Sequence, residues 1–328
     1  MKYRTLGKSG IKVSEIGFGA WTLGLDWWGK KISDDEAVKM LKRAYDLGIN
    51  FFETADMYGK GKSEKLIAQA FKDMRDEVVY STKWGYDMYT AEQVGHSELP
   101  QKHDTEFLKF ALTQSLDRLQ TQYVDVYSLH NPKMDAVRND ALFAALDDLV
   151  KKDIIKSHGA ALGPAIGWKD EGLEAIKKRN ITCLQTVYNI LEQDPGRDFM
   201  KEAERHNVGI MVRVPDASGL LTGKVTAETK FDKNDHRSFR KQEFIMEAIQ
   251  KIEKMKPVAN SKGWNITELA IKFILSQKQI SVVLPTMIGI EEIEMFASIS
   301  DGKYLDTSEA ASVEQMYEKN FYVQTVAK

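Results

Sequence analysis

Four side chains that together suit proton and hydride chemistry stand at or just after the ends of three successive apolar runs in this 328-residue sequence. Ile49-Asn50-Phe51-Phe52 leads into Glu53 and then Tyr58, Val78-Val79-Tyr80-Ser81-Thr82 ends at Lys83, and Val124-Asp125-Val126-Tyr127-Ser128-Leu129 ends at His130. A phenol with an ordinary pKa of ~10 is a poor proton donor at neutral pH, and an adjacent ammonium stabilises the phenolate. Lys83 supplies that charge, Glu53 would hold and tune the lysine, and a neutral His130 would orient a carbonyl oxygen towards Tyr58. The set suits protonation of a carbonyl while a hydride arrives from elsewhere. Each residue alone reads equally well as an ordinary loop or core side chain; their order at successive strand ends carries the inference.

The elements that would position them alternate. Two short strand-like runs around residues 3–6 and 11–13 flank Gly7-Lys8-Ser9-Gly10 and predict a hairpin. Ile16-Gly17-Phe18-Gly19-Ala20-Trp21 reads as a short strand whose glycines admit a close neighbour. An irregular loop over 22–32 leads to a helix opened by a Ser33/Glu36 capping box, with Ala37, Met40, Leu41, Ala44 and Tyr45 on one face and Gly48 at its end. Further strands are predicted over 49–53, 78–82, 124–129, 154–160, 183–187, 208–214 and 281–284. Helices fall over 63–71, 107–119, 141–150, 171–179, 199–206 and within 242–277. Eight strands with helices between them and no composition break predict one domain over residues 1–328. The expected fold is α/β, a (β/α)8 TIM barrel with an N-terminal β-hairpin and an extra C-terminal helix over 308–319.

Composition narrows the partners. A 43% hydrophobic content is enough for a full core, and a net charge of −2 with mixed signs leaves no footprint for nucleic acid or an anionic membrane. The N-terminus lacks a signal-peptide stretch and no segment approaches ~18 consecutive apolar residues, so a cytoplasmic protein with no membrane partner is expected. Nothing in the sequence specifies an oligomeric state. The single cysteine, Cys183, lies in an apolar run and reads as a buried, inert thiol.

The sequence resembles the aldo-keto reductases over nearly its whole length. The matching residues are Gly17-Phe18-Gly19, Asn50-Phe51-Phe52-Glu53-Thr54-Ala55-Asp56-Met57-Tyr58-Gly59 with Ser63-Glu64, Thr82-Lys83, Tyr123 to His130, and Ser218-Gly219-Leu220-Leu221-Thr222-Gly223-Lys224. The resemblance implies NAD(P)H-dependent reduction of a small aldehyde, ketone or sugar carbonyl, with Tyr58 as proton donor, Lys83 lowering its pKa and His130 orienting the substrate. It implies cofactor contacts at Gly19, Trp21, Glu53, Gln185, Arg213, Ser218, Leu220, Lys224, Pro285, Thr286, Met287 and Glu292.

The sequence departs from the family pattern at several of these positions. Glu53 stands where the family has aspartate, and Ala161 and Leu162 replace a Ser-Asn pair that binds the nicotinamide carboxamide. Arg213 replaces the aromatic residue that stacks on the nicotinamide, and Phe296 replaces an asparagine expected against the adenine. The family default is NADP(H). Thr286, Met287 and Glu292 offer no cation for a 2′-phosphate, which favours NAD(H), although Lys224, Arg237 or Arg240 could supply one from the loop after the seventh strand. Two other readings keep the barrel: a dehydratase or sugar oxidoreductase with tightly held NAD, and a slow cofactor-sensing, channel-associated subunit. The aromatics Trp21, Trp27, Trp28, Trp84, Tyr86 and Tyr89 would line a carbonyl pocket or pack the loops.

Overall fold

The extended runs of the sequence become ten strands in the computed structural model, which describes residues 1–92, 97–163, 167–233 and 235–323. They are β1 (Tyr3–Thr5), β2 (Lys12–Ser14), β3 (Phe18–Gly19), β4 (Phe51–Glu53), β5 (Val79–Trp84), β6 (Val124–His130), β7 (Ile155–Ala161), β8 (Cys183–Val187), β9 (Gly209–Arg213) and β10 (Ile280–Leu284). Strands β3 to β10 form one parallel sheet in chain order. Its two edges meet through a parallel bridge between Ile16 and Val283, where Gly17 N–H donates to the Val283 carbonyl at 2.9 Å and Val283 N–H to the Glu15 carbonyl at 2.8 Å. Glycine is required at this seam, because a Cβ on Gly17 would lie 2.8 Å from the side chains of Val282 and Leu284.

β1 and β2 pair antiparallel and plug the barrel floor. Leu6 and Val13 join Phe51, Val79, Val126, Cys183, Met211 and Val282 in the inner cluster, and Cys183 is fully buried, as its apolar run implied. Burial also pushes the Cys183 thiol up to about 12, which keeps it un-ionised and inert.

Most helices fall where the apolar spacing puts them. Asp34–Asp46 buries Ala37, Met40, Leu41 and Ala44, and Ser33 accepts from Glu36 N–H. Only half of the expected capping box forms, because the Glu36 carboxylate takes Lys30 at 2.8 Å instead. The stretch within 242–277 divides into helices Gln242–Ser261 and Ile266–Leu275, the second opened by an Asn265/Glu268 capping box. The extra helix is Thr307–Glu318. Three helices depart from the sequence expectation: Trp21–Gly24, from the end of the expected strand into the expected loop, the short Met134–Val137 after β6, and Ile290–Ile299, which starts in the expected cofactor loop. Pro164, within the departure after β7, and residues 93–96 of the loop after β5 lie outside the described residues.

Candidate active site

Alternation along the strands decides which side chains reach the barrel axis. Phe51, Val79, Val126 and Cys183 point inward in the floor cluster, so Glu53, Lys83, His130 and Gln185, an even number of residues further on, share that inner face at the C-terminal rim. Lys83 Nζ makes a short ion pair with Glu53 Oε1 and donates to the Thr54 carbonyl at 2.6 Å. Gln185 Nε2 donates to the same Glu53 oxygen at 2.9 Å. One carboxylate oxygen of Glu53 thus takes both partners. The Gln185 amide nitrogen is therefore engaged by Glu53 at the position where the family resemblance implies a cofactor contact.

Tyr58 enters from the turn after β4, with its N–H on the Ala55 carbonyl at 3.2 Å. Gly59 must follow it: φ is 62°, and a Cβ there would lie 2.5 Å from the Gly24 carbonyl oxygen. Lys83 Nζ stands 4.8 Å from the Tyr58 ring centroid. The Tyr58 and His130 rings meet edge to face at 5.9 Å and 87°. Tyr86 holds the other side of His130 at 5.1 Å; its own hydroxyl donates to Glu98 and accepts from Asn131 Nδ2, both at 2.7 Å.

Electrostatics correct one expectation. Burial raises the Tyr58 phenol above its ordinary 10.0, and the lowering influence of Lys83, partly opposed by Glu53, does not reverse it. The phenol therefore stays protonated throughout the neutral range. His130 matches the expected neutral imidazole, since burial and the charges of Lys83 and Arg213 push it well below 6.5.

The positions implied for a cofactor divide into two groups. A cleft of about 340 Å³ runs between Trp28 and Gly29, the loop after β9, and the start of helix Ile290–Ile299; its lining includes Lys224, Thr286, Glu292 and Phe296. That volume is at the low end for small-molecule sites and suits one end of a dinucleotide. Lys224 does swing in, and its Nζ lies 2.8 Å from Glu292. Arg237 also lines the cleft, where its side chain grips Asp235 through two bonds, and Arg240 donates to Ser218 Oγ at 2.7 Å.

Pro285 and Met287 are buried and stand apart from the cleft lining, because Met287 packs into the core and its carbonyl accepts from Thr22 at 3.0 Å. Leu220 is also buried, opening the 3-10 turn Leu220–Thr222. Gly19 has room above it: a methyl group added there would lie 3.8 Å from Glu53 Oε2, with Trp21 beside it. Trp21 stacks edge-on against Trp28 at 5.3 Å. Trp84 belongs to the packing rather than to a pocket, since it is fully buried outside the barrel wall and stacks on Tyr127.

Three features escaped the sequence reading. Val214, Ala217 and Ser218 all have φ between 50° and 60°, strain that clusters where backbone amides turn towards a ligand. The Asp216 carboxyl on this loop lines the cleft, and burial pushes it up to about 6. Asp56 is fully buried beside the Glu64–Arg118 ion pair, with both carboxyl oxygens unbonded among the described residues. Burial holds it well above the usual carboxylate range. Of these, only the Val214-Pro215 step carried a signal, since proline restricts the residue before it.

A parallel eight-stranded barrel with a Tyr, Lys, Glu and His cluster at its C-terminal rim defines a class, and the comparisons agree with it. The aldo/keto reductase family model matches residues 15–318, and the chain belongs to that family of oxidoreductases. It is 26% identical over 325 residues to the uncharacterized oxidoreductase YqkF of Bacillus subtilis (strain 168), covering 98% of each chain. It is 28% identical over 303 residues to a probable voltage-gated potassium channel subunit beta of Oryza sativa subsp. japonica, covering 87% of this chain and 86% of the relative. Among solved structures, the holo form of aldo-keto reductase AKR11C1 from Bacillus halodurans superposes with a TM-score of 0.79 at 25% identity, covering 96% of both chains. Among the described residues there is no cluster of metal-ligating side chains, and no helix is long and apolar enough to cross a membrane.

Proposed function

We propose that this protein reduces the carbonyl of a small aldehyde, ketone or sugar, with Tyr58 as the acid. The observation that carries the reading is the contact between Lys83, ion-paired to Glu53, and the face of Tyr58, with neutral His130 edge-on to the same ring. The strained loop after β9 and the cleft beside it fit a nicotinamide dinucleotide, whose reduced ring supplies a hydride when bound. His130 donates a hydrogen bond to the carbonyl oxygen and fixes it near Tyr58 Oη. Tyr58 gives its proton to that oxygen as the carbon accepts the hydride, and the Lys83 ammonium offsets the phenolate charge that develops. Thr54 O and Glu53 keep that ammonium in place.

The pH dependence follows from the two shifts. The active form of Tyr58 is protonated and exists below a pKa raised past 10.0, whereas the active form of His130 is neutral and exists above a pKa lowered well under 6.5. The kcat/KM for reduction is expected to be flat from about pH 6.5 to about pH 9 and to fall only at higher pH. An acidic limb with its midpoint near pH 7 would contradict a neutral His130.

For the cofactor we favour NAD(H) bound at least as well as NADP(H). Glu292 holds Lys224 and Asp235 holds Arg237, two of the cations that line the cleft beside Lys230, so a 2′-phosphate reaching either would have to displace a carboxylate, while ribose hydroxyls could donate to Glu292. Titration of NADH and NADPH by fluorescence quenching, followed by turnover of a carbonyl panel with each, tests both halves of the reading. NADH is expected to bind at least as tightly as NADPH, and Glu292→Arg to move the ratio towards NADPH by about tenfold or more, ~1.4 kcal/mol. A wild-type preference for NADPH of tenfold, unchanged in the variant, would reverse the cofactor assignment; no turnover of any carbonyl with either would remove the activity.

A further inference from the structure

Arg213 ends β9 two residues beyond Met211, and Met211 lies in the inner floor cluster. Parity therefore carries the arginine onto the inner face of the barrel at its C-terminal rim, as it does Glu53, Lys83 and His130. Its neighbours in register are Val187 and Leu284, neither of which can answer a charge. Other well-buried cations are matched: Lys83 by Glu53, Arg118 by Glu64, Lys272 by Asp301 and Arg4 by Glu15. Arg213 is a half-buried residue, and its guanidinium has neither an ion pair nor a hydrogen bond among the described residues. Its charge depresses His130 and Tyr58, so the guanidinium looks into the same space as the reacting groups.

Glu53 is committed to Lys83 and Gln185, His130 is neutral, and the charges acting on Asp216 are those of Arg237 and Arg240. Among the described residues, the rim thus holds an uncompensated positive charge at Arg213. An unpartnered guanidinium on a half-buried rim is open to a planar carboxylate, which engages it through two parallel, charge-assisted hydrogen bonds.

We infer that Arg213 anchors a carboxylate on the substrate, which makes the preferred substrates oxo-acids: carbonyl compounds that also carry a carboxylate. The inference rests on the carbonyl-reducing reading of the site. The hydride from the reduced nicotinamide adds to the carbonyl carbon, the Tyr58 proton goes to the oxygen, and a hydroxy acid leaves with its carboxylate unchanged. The residue is thereby a specificity determinant, standing where the family resemblance leads one to expect an aromatic ring.

The test compares an oxo-acid with its methyl ester, phenylglyoxylate with methyl phenylglyoxylate, for wild type, Arg213→Leu and Arg213→Lys, with the affinity for the reduced cofactor titrated separately. The wild type is expected to favour the acid in kcat/KM by about tenfold or more. Arg213→Leu should collapse that acid-to-ester ratio by about 100-fold, chiefly through KM, and Arg213→Lys should restore part of it. An equal loss on acid and ester with weakened cofactor binding would assign Arg213 to the cofactor and overturn the inference, as would a wild type that prefers the ester. Should neither compound be reduced, the activity reading still rests on the wider carbonyl panel; the anchor is then judged by calorimetric binding of oxamate to the cofactor-loaded protein, present in wild type and lost in Arg213→Leu if the inference holds, and equal in both if it does not.

Discussion

Replacing Tyr58 by phenylalanine is expected to lower kcat for carbonyl reduction by ~10²–10⁴-fold while leaving the fold and cofactor affinity intact. Only the hydroxyl is removed. The ring that meets His130 at 5.9 Å and Lys83 Nζ at 4.8 Å remains, so the pocket keeps its shape. Single-turnover kinetics with saturating reduced cofactor isolate the chemical step, and a variant that keeps more than about a tenth of the wild-type rate would show that another group delivers the proton.

The second large effect is at Lys83, where stability and activity separate. Lys83 and Glu53 are 2% and 4% exposed, so Lys83→Met leaves a buried carboxylate facing an apolar chain. Breaking such a pair costs about 3–5 kcal/mol, which a denaturant titration reads directly. Glu53→Gln combined with Lys83→Met removes the stranded charge and should recover most of that stability. Neither variant should recover activity, because Tyr58 loses the nearby ammonium that favours its ionised form. A double variant with restored stability and a kcat within about tenfold of wild type would separate Lys83 from the chemistry.

The barrel was readable because its signals are local and redundant. Apolar runs of about four to six residues ending in ionisable groups mark strands, and 3.6-residue spacing marks the helices between them. The juxtaposition of Glu53, Tyr58, Lys83 and His130 followed from strand order alone, since parallel neighbours bring their C-terminal ends together. What the sequence withheld depends on three-dimensional competition. The sign of the Tyr58 shift is decided by burial against one ammonium, and no sequence pattern measures burial of a loop side chain. Gln185 turning to Glu53, Lys224 reaching Glu292 from 68 positions away, and Met287 turning into the core are choices among partners that become visible only once the loops are placed. The environment of Asp56 was equally hidden, because the Glu64 and Arg118 charges that act on it come from other elements.

The central claim is that hydride passes from a nicotinamide to a carbonyl carbon while Tyr58 protonates the oxygen. The most direct measurement is mass spectrometry of the alcohol formed from an unlabelled carbonyl substrate and reduced cofactor deuterated at C4 on the transferred face. The expected result is one deuterium on the former carbonyl carbon for each cofactor oxidised in the wild type, and a rate of label transfer reduced by ~10²-fold or more in Tyr58→Phe. Turnover that releases product without deuterium, or with no net oxidation of the cofactor, would contradict the account and identify internal redox cycling or dehydration as the reaction.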